Sequence, residues 1–170
     1  MKEFKKIAKF EIVSFDNFKA SLEGFSDKDV KCIYDELKKP RRATIGSAGY
    51  DFYLPFNITL APGETIKIPT GIRVYIEPNY VLKLYPRSGL GFKYRLQLNN
   101  TVGIIDSDYY NSDNEGHIFA KITNDSNEGK ILDLKKGEAF MQGIFVEYGI
   151  TFDDDTTGIR NGGFGSTSGK

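Results

Sequence analysis

The chain has 170 residues, enough for one domain with a hydrophobic core, alone or with an extension. Hydrophobic residues make up 39% and charged residues 27%, which is ordinary for a soluble globular protein. Lys plus Arg equals Asp plus Glu, at 23 each, so the charge balance does not indicate the basic surface that nucleic acid binding needs. The apolar runs are only a handful of residues long, which excludes a membrane-spanning helix.

The N-terminus and the scarcity of Cys and His limit the compartment and the chemistry. The stretch MKEFKKIAKFEIVSF has cations but lacks the apolar region of a secretion signal. The single cysteine, Cys32, cannot form an internal disulfide, so we predict a cytoplasmic protein. Its side chain is expected to be a small buried hydrophobe. The single histidine, His117, is expected to be structural or solvent-facing. Catalysis must then use carboxylates, arginines, hydroxyls and a hard cation held by oxygens.

One stretch near the N-terminus predicts a helix. KFEIVSF first alternates like a short strand, and SDKDVKCIYDELKKP follows it. Ser26 is expected to cap the helix and Pro40 to stop it. The apolar stripe at i, i+3, i+4 and i+7 consists of Val30, Ile33, Tyr34 and Leu37.

From residue 48 onward the pattern is of short strands separated by turns. TIKIP, GIRVYI and YVLKLYP alternate apolar and polar residues, and RLQL, VGII, HIFAKIT and FMQGIFVEY fit further strands. Many short, closely spaced strands predict an all-β sandwich or jelly roll. We therefore divide the chain into an N-terminal extension with one amphipathic helix (1–42), a β jelly-roll core (43–150) and a flexible C-terminal arm (151–170).

Two patches combine strand ends with specific polar residues. SAGYDFYLP places Asp51 in a strand-like run, where a carboxylate is costly unless it is paired or solvated. In YPRSGLG, Arg87 and Ser88 precede glycines that free backbone N–H groups to point at an anion. The plainer interpretations are an edge-strand surface residue and a β-turn with a surface arginine.

Three further patches lie later in the chain. In NNTVGIIDSDYYNSDNEG, Asp106 ends an apolar strand where a carboxylate can deprotonate a water, while Asp108 is expected to belong to a hairpin turn. Asn100 can read a planar polar edge with one donor and one acceptor. In GEAFMQGIF, Gln142 is either a core hydrogen-bonding residue or a site ligand. The end, RNGGFGSTSGK, is either a disordered terminus or an arm that folds over a nucleotide.

The five patches together, in this order, closely resemble the five ordered motifs of the homotrimeric dUTPases, which hydrolyse dUTP to dUMP and pyrophosphate. The motifs are AGYDFY, PRSGLG, NNTVGIIDSDY, GEAFMQGIF and RNGGFGSTSG, and the resemblance runs from about residue 43 to the end. It implies a jelly roll, three sites shared between three subunits, and an arm that closes over a site as a lid. It also implies a role in keeping uracil out of DNA and supplying dUMP for dTMP synthesis.

The resemblance implies a role for each matching residue. Asp106 would activate the water that attacks the α-phosphate, and Tyr109 would lie under the deoxyribose and leave no room for a 2′-hydroxyl. Asp51 would contact Mg²⁺ through water, the ion being held mainly by the triphosphate. The uracil hairpin would comprise Asn100, Ile104 and Ile105, with Phe119 as a further base contact; the phosphate ligands would be Arg87, Ser88 and Gly89; Gln142 would bind through water near the ion; and the lid would comprise Arg160, Phe164, Gly165, Ser166 and Thr167.

Two features depart from the family pattern. The loop YYNSDNEGHI is longer than the usual turn, and Arg160 lies four residues before Phe164 where many members have five. Residues 1–42 lie outside the motifs and have no assigned role. The alternatives are a related dCTP deaminase, which would need a glutamate base where IIDSDY stands, and a catalytically silent nucleotide-binding or regulatory protein on the same fold. A regulatory protein partner stays open; nucleic acid and membrane partners are not expected.

Overall fold

The structure, a computed structural model, describes residues 4–160. This part of the chain forms twelve β-strands, three α-helices and one 3-10 helix. The strands are β1 Ala8–Ile12, β2 Arg41–Arg42, β3 Tyr50–Tyr53, β4 Ile58–Leu60, β5 Thr65–Pro69, β6 Ile72–Ile76, β7 Tyr80–Pro86, β8 Leu96–Leu98, β9 Gly103–Ile105, β10 Phe119–Asn124, β11 Leu132–Leu134 and β12 Ala139–Glu147. The helices are α1 Phe15–Ala20, α2 Asp27–Asp35 and α3 Ser88–Tyr94, with the 3-10 helix at Ser107–Asn111.

The strands form a jelly roll of small antiparallel sheets around one core. The largest sheet has the order β2-β3-β12-β7-β9, the next has β5-β10-β8, and β1-β6 and β11-β4 are two-stranded. Side chains alternate along strands such as β6, where Ile72, Val74 and Ile76 are buried while Arg73 and Tyr75 are not. The predicted all-β jelly roll is therefore confirmed, and the runs TIKIP and YVLKLYP are strands over their whole length.

The helix α2 lies where the apolar stripe predicts it. Ser26 caps its N-terminus by accepting from the backbone N–H of Asp29 at 3.2 Å. The helix ends at Asp35, so Leu37 lies beyond it and the prediction that Pro40 stops it was wrong. Cys32 is exposed, so the expectation that it is buried was wrong. The stripe explains why: Val30 and Ile33 are the buried residues of α2, and position 32 faces away from them.

Two short helices and three short strands were not predicted. Helix α1 has six residues and α3 has seven, and α3 begins inside the PRSGLG patch that was expected to be a turn. Strands β2, β4 and β11 have two or three residues each. Elements this short span at most about two hydrophobic periods, too few to show a pattern, and tertiary contacts determine them.

The N-terminal segment divides into a strand and a helical part. β1 pairs with β6 from Ala8 opposite Ile76 to Ile12 opposite Ile72, so residues 8–12 lie in the jelly roll itself. Residues 14–37, which we call the helical extension, contain α1 and α2 and pack around a separate small core. That core consists of Val13, Phe18, Val30 and Ile33. Among residues 4–160, no helix is long and apolar enough to cross a membrane.

Candidate active site

A cleft opens where β8 and β9 separate into different sheets. β8 pairs with β10, whereas β9 pairs with β7, and residues 99–102 turn the corner between them. The turn is tight: Thr101 has a φ of 66°, and the N–H of Val102 donates to the carbonyl of Asn100 at 2.7 Å. The cleft has a volume of about 280 Å³. Its walls include six of the residues predicted for the site, namely Asn100, Ile104, Ile105, Tyr109, Phe119 and Arg160.

Tyr109 forms a buried wall of this cleft and is fixed at its hydroxyl. The side chain lies on the 3-10 helix and is 6% exposed. Its hydroxyl donates to the carbonyl of His117 at 2.6 Å and accepts from Nδ2 of Asn114 at 2.8 Å. Burial raises the pKa of the Tyr109 hydroxyl above its usual value, so the group stays a donor at neutral pH. The ring is thus held in place, and both hydrogen bonds of its hydroxyl are made within the protein.

Asp106 stands at the mouth of the cleft beside a second carboxylate. Asp106, Asp108 and Ile104 line an adjoining cavity of about 380 Å³, and Ile104 and Arg160 belong to both cavities. The Asp106 side chain is 47% exposed, so water reaches it. Nη2 of Arg160 lies 2.5 Å from Oδ2 of Asp106, and Nε lies 2.8 Å from Oδ1 of Asp108. Both aspartates of the DSD sequence therefore face the same cavity.

A second group of predicted residues meets at the ends of β3, β7 and β12. Asp51 on β3 pairs across the sheet with Gln142 on β12. The carboxylate of Asp51 lies 3.2 Å from Nε of Arg87, which follows β7, and Nε2 of Gln142 donates to the carbonyl of Pro86 at 3.3 Å. Gly49 leaves space for the Gln142 amide, because a Cβ there would lie 2.5 Å from Oε1 and the amide would have to move. Gln142 is thus neither exposed nor purely part of the core: it sits beside the Asp51–Arg87 pair.

Ser88 and Gly89 begin helix α3 rather than forming a glycine turn. Arg87 occupies the N-cap position, and its carbonyl accepts from the N–H groups of Leu90 and Gly91. The first amides of a helix have no carbonyl partner within it, so those of Ser88 and Gly89 can point at an anion. Arg87, Ser88 and Gly89 line a cavity of about 430 Å³. A Cβ on Gly89 would meet nothing within 4 Å, so the helix start is open.

The predicted residues of the described chain thus fall into two groups, each beside its own cavities. The corner cluster comprises Asn100, Ile104, Ile105, Asp106, Tyr109 and Phe119. The strand-end cluster comprises Asp51, Arg87, Ser88, Gly89 and Gln142. The cavities of the two clusters have no lining residue in common. The expected lid residues Phe164, Gly165, Ser166 and Thr167 lie outside the described residues.

The described part of the chain has no preformed metal cage: no three His, Cys, Asp or Glu side chains of residues 4–160 come together. The strand-end cluster offers one carboxylate, Asp51, already paired with Arg87, and the amide of Gln142. This donor set fits a hydrated Mg²⁺ that is held chiefly by its ligand's phosphates, because Mg²⁺ keeps several waters and needs few protein oxygens.

The sequence did not mark His117 as part of the site, yet the structure places it directly behind the cleft. Its side chain is buried, its carbonyl binds Tyr109, and its ring lies 4.3 Å from the ring of Phe119. Burial lowers the pKa of His117 from 6.5 to about 4. A lone histidine in a polar loop gives no periodic signal; only its being the single histidine of the chain sets it apart.

The fold and the site together define a β jelly-roll protein with a base-sized cleft, a water-accessible carboxylate and an arginine-bearing helix start. The comparisons with known proteins agree with this class. The family model for dUTPase matches residues 35–168, and the chain belongs to the dUTPase family.

Two curated relatives and one solved structure illustrate the similarity. The deoxyuridine 5′-triphosphate nucleotidohydrolase of Lactococcus lactis is 43% identical over 131 residues, which are 75% of this chain and 86% of that protein. The protein of the same name from Shewanella amazonensis is 40% identical over 141 residues, covering 78% and 88%. The crystal structure of the dUTPase from Streptococcus mutans superposes with a TM-score of 0.62 at 32% identity, covering 84% of this chain and 97% of that one.

Proposed function

We propose that the chain hydrolyses dUTP to dUMP and pyrophosphate, and so keeps uracil out of DNA and supplies dUMP for dTMP synthesis. The observation that supports it most directly is the corner cluster, where a narrow cleft, a fixed tyrosine ring and a solvent-exposed carboxylate adjoin. Family membership and the two nucleotidohydrolase relatives agree with the same activity. The roles below follow from the chemistry of the residues that line the two cavities.

The uracil base is recognised at the corner between β8 and β9. β9 is the outer strand of its sheet, so one edge of its backbone faces the cleft instead of a neighbouring strand of the described chain. Those peptide groups, with the amide of Asn100, can pair with the alternating acceptors and donor of a uracil edge. The cleft's volume of about 280 Å³ leaves little space beyond one base and part of a sugar. A 5-methyl group would have to fit against Ile104 or Ile105.

The sugar is selected by the face of the Tyr109 ring. Because both hydrogen-bonding positions of the hydroxyl are used by His117 and Asn114, the ring presents only carbon to a ligand. A ribose 2′-hydroxyl placed against that face would lose water and gain no partner, which disfavours UTP.

The reaction is water attack on the α-phosphorus with Asp106 as the general base. Asp106 takes a proton as the water oxygen bonds to the α-phosphorus, and the bond to the bridging oxygen breaks to release pyrophosphate. Arg160 occupies Oδ2 of Asp106 in the described structure, and the polyphosphate competes for this arginine. We place Arg160 on the phosphates of the bound state, with Phe164 stacked on the base and Gly165, Ser166 and Thr167 closing the arm.

The triphosphate is held by the strand-end cluster. Arg87 supplies a charged fork oriented by Asp51, and Ser88 and Gly89 supply the helix-start amides. Mg²⁺ would be chelated by the triphosphate, with Asp51 and Gln142 contacting it through water; when bound, it neutralises phosphate charge.

A single nucleotide must reach both clusters, although they line separate cavities of one chain. In a homotrimer, each site can combine the corner cluster of one subunit with the strand-end cluster of another, so that one nucleotide contacts both clusters. No nucleic acid or membrane partner is part of the proposal.

The substrate is tested by incubating the purified chain and Mg²⁺ with dUTP, dCTP, dTTP or UTP and following pyrophosphate and ammonia. We expect pyrophosphate from dUTP far faster than from the other three. Ammonia from dCTP would instead indicate the deaminase, and absence of turnover with retained binding would indicate a silent nucleotide-binding protein; either result contradicts the proposal.

The shared site is tested by mixing two inactive variants, Asp106→Asn and Arg87→Ala, unfolded together and refolded. Random assembly gives an intact corner cluster facing an intact strand-end cluster in about a quarter of the sites if they lie on different chains. We expect activity to reappear at about that fraction of wild type. If each site lies within one chain, mixing restores nothing.

A further inference from the structure

The helical extension, residues 14–37, sits against the loop that carries Asp106 and Tyr109. The extension begins beside the turn at Gly71 between β5 and β6, where the N–H of Val13 donates to the carbonyl of Gly71 at 3.0 Å. Gly71 has a φ of 73°, and a Cβ there would lie 2.5 Å from Cδ1 of Leu37. The extension is therefore packed closely onto the jelly roll at this point and is not a loosely attached arm.

Two polar contacts join helix α1 to the loop of residues 106–118. Ser14 donates from its N–H to Oε2 of Glu115 at 2.8 Å and from its hydroxyl to Oε1 at 2.5 Å. Asn17 places Oδ1 3.0 Å from Nδ1 of His117. These partners are 101 and 100 residues apart in the sequence. The extension and the loop are thus connected at two places along the same helix.

The hydrogen bond between Asn17 and His117 has a defined donor and a defined acceptor. Nε2 of His117 accepts from the N–H of Gly71 at 2.9 Å, so the proton of the neutral ring is on Nδ1. Nδ1 therefore donates to Oδ1 of Asn17. Both nitrogens have fixed roles, and together they determine the plane and the position of the ring.

His117 in turn contacts two residues of the cleft. Its carbonyl accepts the hydroxyl of Tyr109 at 2.6 Å. Its ring lies between Phe119 of the cleft, at 4.3 Å, and Phe18 of helix α1, at 6.2 Å. A continuous series of contacts therefore runs from α1 through His117 to the face of the cleft that Tyr109 and Phe119 form.

We propose that Asn17 and His117 are positioning residues for sugar selection: the helical extension fixes His117, and His117 sets the place of the Tyr109 ring that separates deoxyribose from ribose. This inference rests on the proposed function. Selection by a ring face is steric, so a shift of a few tenths of an ångström in Tyr109 changes the choice of sugar more than it changes affinity for the shared base and phosphates.

Asn17→Ala tests the inference, with Asn17→Asp and Asp16→Asn as matched variants. Asn17→Ala removes the acceptor of Nδ1, Asn17→Asp keeps an acceptor oxygen, and Asp16 is an exposed residue of the same helix. For each protein, kcat and KM are measured for dUTP and for UTP at pH 8, where the imidazole is neutral, and well below the thermal midpoint.

We expect Asn17→Ala to lower the ratio of kcat/KM for dUTP over UTP by about fivefold, the worth of one ordinary hydrogen bond. Asn17→Asp and Asp16→Asn should keep the wild-type ratio. A purely structural role would lower the thermal midpoint of Asn17→Ala and leave the ratio unchanged, and that outcome overturns the inference. If Asn17→Ala does not fold, Asn17→Ser takes its place, because its hydroxyl is too short to reach Nδ1.

Wild type and Tyr109→Ala separate this inference from the proposed function. If wild type does not prefer dUTP, the proposed function itself fails. A different result refutes only the positioning role of the extension: wild type prefers dUTP, Tyr109→Ala loses that preference, and Asn17→Ala keeps it.

Discussion

Lowering the pH from 7 to 4 should destabilise the folded chain through one buried imidazole, that of His117. Burial holds its pKa at about 4, against an ordinary value of 6.5. Two charged side chains face the ring: the carboxylate of Glu115 favours its protonation and the ammonium of Lys67 opposes it. Protonation would also place a second N–H against the backbone N–H of Gly71, which now donates to Nε2.

The size of the effect follows from the difference between the two pKa values. At pH 7 the imidazole is neutral in both states. As the pH falls below about 6.5, the unfolded chain binds a proton that the folded chain does not, so the free energy of unfolding decreases until the pH reaches about 4. The gap between 6.5 and about 4 corresponds to a loss of about 3 kcal/mol over this window.

The measurement is urea unfolding at pH 7, 6, 5 and 4, for wild type and His117→Gln at one protein concentration. Carboxylates other than Glu115 titrate alike in both proteins, so the difference between the two free energies of unfolding reports the imidazole together with its coupling to Glu115. We expect the advantage of wild type over the variant to shrink by about 3 kcal/mol between pH 7 and pH 4. A constant difference at every pH would refute the assignment of a buried, neutral His117.

Three further variants test the site, the arm and the extension. Asp106→Asn should lower kcat by about 10² to 10⁴ and leave nucleotide affinity nearly unchanged, as measured by steady-state kinetics and calorimetry; near-normal turnover would move the base to Asp108. Deletion of residues 159–170 should leave the thermal midpoint unchanged but slow dUTP turnover by about tenfold or more, and full-length turnover would mean that the arm has no catalytic role. Gly71→Ala should lower the free energy of unfolding by about 1 to 3 kcal/mol more than Gly63→Ala does, because both glycines have a positive φ but only Gly71 is crowded. Equal losses in urea unfolding would show that the helical extension shifts to make room for the added Cβ.

The strands of the jelly roll could be predicted because their burial alternates. In GIRVYI, Ile72, Val74 and Ile76 are buried while Arg73 is half-buried and Tyr75 is exposed, and Ile72–Ile76 form one strand. Helix α3 could not be predicted, because its seven residues include two glycines that locally favour a turn. It forms where β7 ends, and the αL conformation of Arg95, with a φ of 52°, terminates it.

The candidate site was predictable to the extent that its residues lie in ordered motifs. The corner cluster comes from one continuous stretch, so the sequence alone places Asn100, Asp106 and Tyr109 near one another. The pairing of Asp51 with Gln142 depends on the register between β3 and β12, which the hydrophobic alternation fixes only once the two strands are known to be neighbours. The position of Arg160 against Asp106 and Asp108 depends on the path of the chain after Tyr148, where the apolar period has ended.

The contacts of the helical extension were beyond prediction for a different reason. Asn17 and His117 are polar residues of ordinary context, 100 positions apart, and neither belongs to a motif. They meet because β1 ends at Ile12 beside Ile72, next to the Gly71 turn, and that turn also receives the end of the loop after Tyr109. The helical extension lies between two paired strands of the jelly roll, since β1 pairs with β6 and β2 pairs with β3. It nevertheless places Ser14 and Asn17 in hydrogen-bond contact with Glu115 and His117 of the loop after Asp106, so a change tolerated by the fold can alter the candidate site directly.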